Sequence, residues 1–300
     1  MANEILPAGL SDVSLEVLAN EFLMLLAERD GSILTHPALF HATGSARSNI
    51  VRVPHYGLDA YNLLSATTPG SAVANTAMTL GHTSVTVAMR AKRYWLDDLA
   101  RFMTDGKLDP AMFARDAAVT IAMTLVDLIA NVTDDFTTQS GTSGVNAAWS
   151  DIIDAKTKLL IAKASGPMLG ILHPQQWGDL ETNTLSLGAA PAQVLASTLN
   201  SGLGSQFKGS FLGIDFFTSS SVPTANAGAD RAGAIVTRGG VAWADAMMDD
   251  EQGENIVSLG RARLERWRQG DYLATSYITS YACGVAKAID GAGVSVVTDA

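Results

Sequence analysis

Residues 109–136, DPAMFARDAAVTIAMTLVDLIANVTDDF, constrain the rest of the chain more than any other stretch. Asp109 can cap the first free N–H groups and Pro110 is pre-set for the first helical position, so a helix start is signalled. Phe113, Ala117, Ile121, Leu125, Leu128 and Val132 recur at spacings of three and four, and Ile129 and Phe136 widen the stripe. Such a helix runs to ~40 Å, about the width of a small domain, and suits a strut better than one layer of a compact enzyme core. Its apolar stripe needs a partner surface from elsewhere in the chain.

With 300 residues, 47% of them hydrophobic and 17% charged, the chain has ample material for that surface and for more than one domain. The most lipid-like run, 117–132, is too short to span a bilayer and carries Asp127, so no transmembrane helix is expected. Glu4, Asp12, Glu16, Glu21, Glu28 and Asp30 stand against Arg29 alone in the first thirty residues, the opposite of a signal peptide's basic start. Cys283 is the single cysteine; it sits in a strand-like run as a buried, inert thiol and fits a reducing cytosol. A net charge of −10 argues against a general nucleic-acid binder. That charge is unevenly placed: Arg47, Arg52, Arg90, Lys92 and Arg93 against Asp59 make residues 47–93 +4 and leave −14 for the remainder.

Along the chain, an irregular start leads to a helix from Ser11 to Gly31 with Leu15, Leu18, Phe22 and Leu25 on one face. Two readings of it stand side by side, a core helix and a helix packed on a neighbouring subunit. NIVRVP (49–54) and TSVTVAMR (83–90) alternate as strands, with Val51 and Val53 on one face of the first and Val85, Val87 and Met89 on one face of the second. They can pair as a ribbon around nearly thirty residues rich in Ala, Thr, Ser, Gly and Asn, far longer than a usual hairpin loop. A two-stranded ribbon has too little core to offset its ordering entropy and is best explained if it lies on a neighbouring subunit; the alternative is a disordered surface hairpin.

YWLDDLARFM (94–103) reads as a short helix, and SGTSG (140–144) breaks the pattern. Residues 147–164 form a second amphipathic helix with Trp149, Ile152, Ile153, Leu159 and Leu160 inward, where a new domain starts. A strand after Pro167, a Gly- and Ala-rich helical region, a strand over 211–223, and a strand with a short helix over 232–246 follow. Strands over 255–267, 272–285 and 294–298 close the chain and return to the long helix, making the middle region an insertion. The fold class is α+β.

An enzyme finds little support. His36, His41, His55, His82 and His173 show no metal-binding spacing, Cys283 completes no zinc motif, and the nucleophile-elbow, P-loop and dinucleotide patterns are missing. His173 and Asp179 could be an acid and a base, but an exposed or helix-capping role is the simpler reading, and Asp134 and Asp135 read as a solvated helix end. Arg261, Arg263, Arg266 and Arg268 with Trp267 look locally like a nucleic-acid strip. Strand alternation puts the first two on the face opposite the last two, which suits structural pairing.

The order of parts resembles the major capsid proteins of tailed bacteriophages, over nearly the whole chain. LGILHPQQWGDL (169–180), LGIDFFTSSSVP (212–223), GAIVTRGGVAWA (233–244) and the closing YACGVAKAIDGAGVSVVTD are similar to phrases of that family, and their order carries more than any one match. The resemblance implies an N-terminal arm (1–46), an extended β-hairpin loop (47–93), a peripheral domain with the long spine helix (94–140), an inserted axial α/β domain (141–248) and return strands of the peripheral domain (249–300). It implies a non-enzymatic protein, without cofactor or metal, that assembles in the host cytoplasm into pentamers and hexamers of an icosahedral virion shell around double-stranded DNA. Its implied partners are itself, a portal protein and a separate scaffolding protein, the last because the leader is short; no membrane is involved. Arg47, Arg52, Arg90, Lys92 and Arg93 are the expected intersubunit contacts, a basic ribbon reaching over an acidic neighbour. Some family members join subunits by a Lys–Asn isopeptide bond. Lys92 lies at the ribbon's base with no motif fixing a matching Asn or Glu, so that bond is not carried over. The alternative within the fold is an encapsulin nanocompartment shell, and an α/β enzyme is more distant.

Overall fold

A computed structural model describes residues 33–34, 36–44, 49–56, 80–97, 111–164, 166–186, 207–247, 256–258 and 262–299. The elements are β1 (Phe40–Gly44), β2 (Ile50–Tyr56), β3 (Leu80–Thr86), β4 (Ala88–Asp97), α1 (Ala111–Asn131), β5 (Gln139–Ser140), α2 (Trp149–Ile161), β6 (Met168–Leu172), α3 (Pro174–Ser186), β7 (Phe207–Phe211), β8 (Ile214–Thr218), β9 (Thr224–Ala225), β10 (Asp230–Val236), β11 (Val241–Ala246), β12 (Ile256–Ser258), β13 (Ala262–Gln269), β14 (Ala274–Lys287) and β15 (Gly293–Asp299). They form a six-stranded sheet ordered β1-β11-β14-β13-β12 with β4 also on β14, a seven-stranded sheet ordered β5-β15-β10-β6-β8-β7 with β9 on β10, and the β2–β3 ribbon.

The long helix is the shared wall of both sheets. α1 is 21 residues long, ~32 Å of rise. Thr133–Asp135 tighten into one 3-10 turn, and Asp109 and Pro110 lie outside the described residues. Ala117, Ile121, Leu125, Ile129 and Val132 are buried as expected, Leu128 is half-buried, and Ala118, Ala122 and Val126 widen the stripe. This face packs on Leu264, Tyr277 and Tyr281 of the six-stranded sheet and on Leu169, Ile171 and Val236 of the seven-stranded one. By length and composition α1 could cross a membrane, but half of its apolar window is buried inside the protein, as in a core helix.

MLGIL in β6 is buried at every position because the sheet is covered on both sides. Leu169 and Ile171 face α1, while Met168 and Leu172 face α2 and α3 together with Phe216, Ile235 and Val296. The parallel β6–β8 pairing fits such a continuous apolar run. Polar side chains bolt the layers. The Thr133 hydroxyl lies 2.6 Å from the carbonyls of both Ala130 and Ala232. Gln176, fully buried, bonds His173 N at 3.0 Å, the Val296 carbonyl at 3.0 Å and Thr298 Oγ1 at 2.8 Å. Buried groups of this kind are costly to leave unpaired.

Several expectations are corrected. Tyr94–Asp97 continue β4 rather than opening a helix, because β14 supplies a ladder partner for all ten residues of that strand. Ile153 and Leu160 point outward at 51% and 55% exposure, and Ala155 takes the inward place, since α2 needs a narrow face against the sheet. Residues 241–246 are a strand, β11, and not a short helix. The expected division at 248 does not follow the sheets: β11 pairs with β14 in the six-stranded sheet, and β15 pairs with β10 in the seven-stranded one. β1, expected in the arm, is a parallel edge strand on β11. The expected helix over 11–31 lies outside the described residues.

Candidate assembly surface

The expected β2–β3 ribbon forms as an antiparallel pair, with Val51 opposite Val85 and Val53 opposite Thr83. Its buried face, Val51, Val53, Val85 and Val87, packs on Ala242, Ala244, Ala246 and Ala282 of the chain's own six-stranded sheet. Small residues receive it, and Gly284 is needed there because a Cβ would run into the Thr86 carbonyl. The root of the ribbon is therefore seated on its own subunit, and Met89 leaves the valine face, 68% exposed, because the strand breaks at Val87. The expectation that this face lies on a neighbour is corrected for the described part; the long connection, 57–79, lies outside it. Ile50, Arg52, Pro54, His82 and Ser84 make up the opposite, exposed face.

The five expected contact cations do not form one patch. Arg47 lies outside the described residues, and Arg52 stands on the exposed ribbon face. Alternation along β4 turns Arg90 and Lys92 toward α1 and Arg93 away from it. Lys92 Nζ lies 2.6 Å from Asp116 Oδ2 and 2.9 Å from Thr120 Oγ1, and the Tyr94 hydroxyl donates to the same carboxylate. The hydrogen bonds of Lys92 and Tyr94 hold the Asp116 carboxyl below its ordinary value. The bond to Asp116, helped by Tyr94, raises the Lys92 amine, and burial followed by Asp116 raises the Tyr94 phenol. This cluster ties the root of the ribbon to the spine helix within one subunit.

Arg93 instead covers the Trp95 ring at 4.8 Å. Trp95 meets Tyr272 edge-on at 5.4 Å, and Trp95 and Trp267 flank Ser276 from the two neighbouring strands. Trp95, Trp267, Tyr272 and Leu273 are 44%, 45%, 69% and 64% exposed. These four side chains form an exposed aromatic and aliphatic patch beside Arg93. Sequence reading missed it, although Trp95 shares the strand parity of Arg93 and Trp267 that of Arg263.

The remaining candidates have structural occupations. His173 Nδ1 accepts from Gln175 N at 3.3 Å at the start of α3, and burial, then Arg231, lowers the His173 imidazole. Asp179 accepts from Asn146 Nδ2 at 3.1 Å and Ala147 N at 3.4 Å, so the two groups serve separate loops. Arg263 Nε lies 2.8 Å from Glu265 Oε1, and Arg261 is outside the described residues. Cys283 is buried, which pushes its thiol up. Among the described residues no group of His, Cys, Asp and Glu is arranged to hold a metal ion.

Solved structures match this architecture across the chain. The capsid of Ralstonia phage GP4 superposes with a TM-score of 0.63 at 11% identity, over 90% of this chain and 91% of that one. The chain has the phage capsid fold. The capsid protein of Helicobacter pylori bacteriophage KHP30 is similar over 90% of this chain and 92% of that one, with a TM-score of 0.57 and 12% identity. The SrpI encapsulin of Synechococcus elongatus shares the fold at a TM-score of 0.58 and 15% identity, over 87% and 84%. No protein-family model matches the sequence, and no curated protein does. Phage capsid structures predominate among these neighbours, and those described here are shell proteins rather than enzymes.

Proposed function

We propose that the chain is the major capsid protein of a tailed phage, a subunit that rings into pentamers and hexamers and tiles an icosahedral head around double-stranded DNA. The observation that carries this reading is the likeness to the GP4 capsid over 90% of this chain and 91% of that one. Assembly in the host cytoplasm uses a separate scaffolding protein and a portal. The −10 net charge suits a wall that holds DNA without gripping its sequence. Contacts between subunits run through the exposed ribbon face with Arg52, through Arg93 and its aromatic patch, and through Arg47. Lys92, held by Asp116, acts within the subunit. The encapsulin likeness favours a second reading, a shell around protein cargo.

Negative-stain electron microscopy of the chain expressed alone and with its scaffolding protein tests this. Closed shells support the proposal, with packaged DNA expected and enzyme cargo favouring the encapsulin. Small monodisperse oligomers in both preparations count against any shell. Arg52→Glu with Arg93→Glu leaves the subunit folded by circular dichroism and lowers shell yield; an unchanged yield removes these residues from the interface.

A further inference from the structure

α2 is apolar on two sides. Ile152, Ala155 and Leu159 are buried against the seven-stranded sheet, while Ile153, Leu160 and Ile161 stand on the outer side of the helix. Ile161, at 75%, is the most exposed large apolar side chain among the described residues. Spacings of four and three put Ile153, Thr157, Leu160 and Ile161 on one ridge. Thr157 turns its hydroxyl back onto the Ile153 carbonyl at 2.8 Å, so it gives the ridge a methyl group. The polar residues alongside are closed within the subunit. Asp154 pairs with Lys158 at 2.5 Å and accepts from Ser140 Oγ at 2.8 Å, and the Lys156 amine donates to the Leu212 carbonyl. What they leave is an apolar ridge ~12 Å long that needs a second surface to cover it.

We propose that this ridge packs on the same ridge of a second copy, with the two α2 helices antiparallel about Thr157. The ends of the ridge select that partner. Asp151 stands six positions before Thr157, and Lys163, exposed and without an ion pair among the described residues, stands six positions after it. Run antiparallel, each Asp151 lies beside Lys163 of the other copy and each Ile153 beside Ile161, so acid meets base at both ends and apolar meets apolar between them. Run parallel, Asp151 would face Asp151 and Lys163 would face Lys163. The helix dipoles agree, since antiparallel packing sets each positive end against a negative one. A patch that complements itself in this way makes an isologous, two-fold contact. Three large side chains a side fall well short of the ~800 Å² that each partner of a stable pair buries, so the contact is weak by itself and adds to others. It stands apart from the shell reading, because the pairing is a property of the ridge whatever the copies build.

Cross-linking of the full-length chain tests it. Thr157→Cys should form a disulfide-linked dimer on mild oxidation about tenfold faster than Thr182→Cys, an exposed position on α3, because facing residues at a two-fold come within disulfide reach. The parent chain, whose one thiol Cys283 is buried, should form none. Adding Leu160→Asp and Ile161→Asp should bring the Thr157→Cys chain down to the rate of Thr182→Cys with the circular dichroism spectrum unchanged. With a short bis-maleimide, Asp151→Cys and Lys163→Cys chains should link to each other and not to themselves. A Thr157→Cys rate within twofold of Thr182→Cys would overturn the proposal. So would self-linking of either end variant, which is the mark of a parallel or a different contact.

Discussion

The seven-stranded sheet is covered on both faces, by α1 on one side and by α2 and α3 on the other, whereas the six-stranded sheet has α1 on one face and the β2–β3 ribbon over part of the other. The first holds Phe216, Ile171 and Leu172 out of solvent entirely; the second leaves Trp95, Trp267, Tyr272 and Leu273 about half exposed or more. One region is finished within the subunit. The other has an aromatic face that a single copy does not bury, which is how a surface looks when its second half comes from a partner.

That contrast can be broken by measurement. Phe216→Ala should cost about 3–5 kcal/mol in urea unfolding of the subunit, because a fully buried ring packed among Trp149, Trp177 and Ile235 leaves a cavity that the sheet cannot collapse. A loss below about 1 kcal/mol would mean that the seven-stranded sheet is no more complete than its neighbour.

The joint between the two regions gives an intermediate effect. The Asp116 carboxyl lies below its ordinary 3.8, so its contribution to stability is fully present above that value and is lost as pH falls through the lowered one. Lys92 lies above its ordinary 10.5, so its share is present below 10.5 and is lost as pH rises through the raised value. Both groups are about half exposed, so Asp116→Asn should cost less than about 1 kcal/mol at neutral pH, and the deficit should vanish at acid pH. A deficit of the same size at pH 2 and pH 7 would assign the effect to packing instead.

The smallest expected effect sharpens the comparison most. Trp95→Ser with Trp267→Ser should change subunit stability by no more than about 0.5 kcal/mol per site while reducing shell yield. If unfolding shifts as far as for Phe216→Ala, the patch is part of the fold and not an interface.

Much of this was legible in the residues. The stripe on α1, the alternation of Val51, Val53 and Val85, and the closing strands each follow from periodicity, which depends on local geometry alone. The candidate surface was half legible. Arg52 and Arg93 are exposed, but Lys92 is taken by Asp116, 24 residues away, and no spacing rule pairs a strand cation with a helix carboxylate at that separation. The aromatic patch was missed because Trp95, Ser276 and Trp267 become neighbours through the β4–β14–β13 pairing.

The sequence by itself determined the long helix, the two ribbon strands and the closing strands, and which side of most of them is apolar, since those are properties of a few consecutive turns or pleats. Tertiary structure decided where each went. Val236 and Val241 are five positions apart yet fall in different sheets, and Tyr94–Asp97 became strand because β14 offered ten ladder partners. The physical reason is that strand pairing satisfies backbone groups with partners distant in sequence, so sheet membership and the choice of strand over helix are settled only when those partners meet.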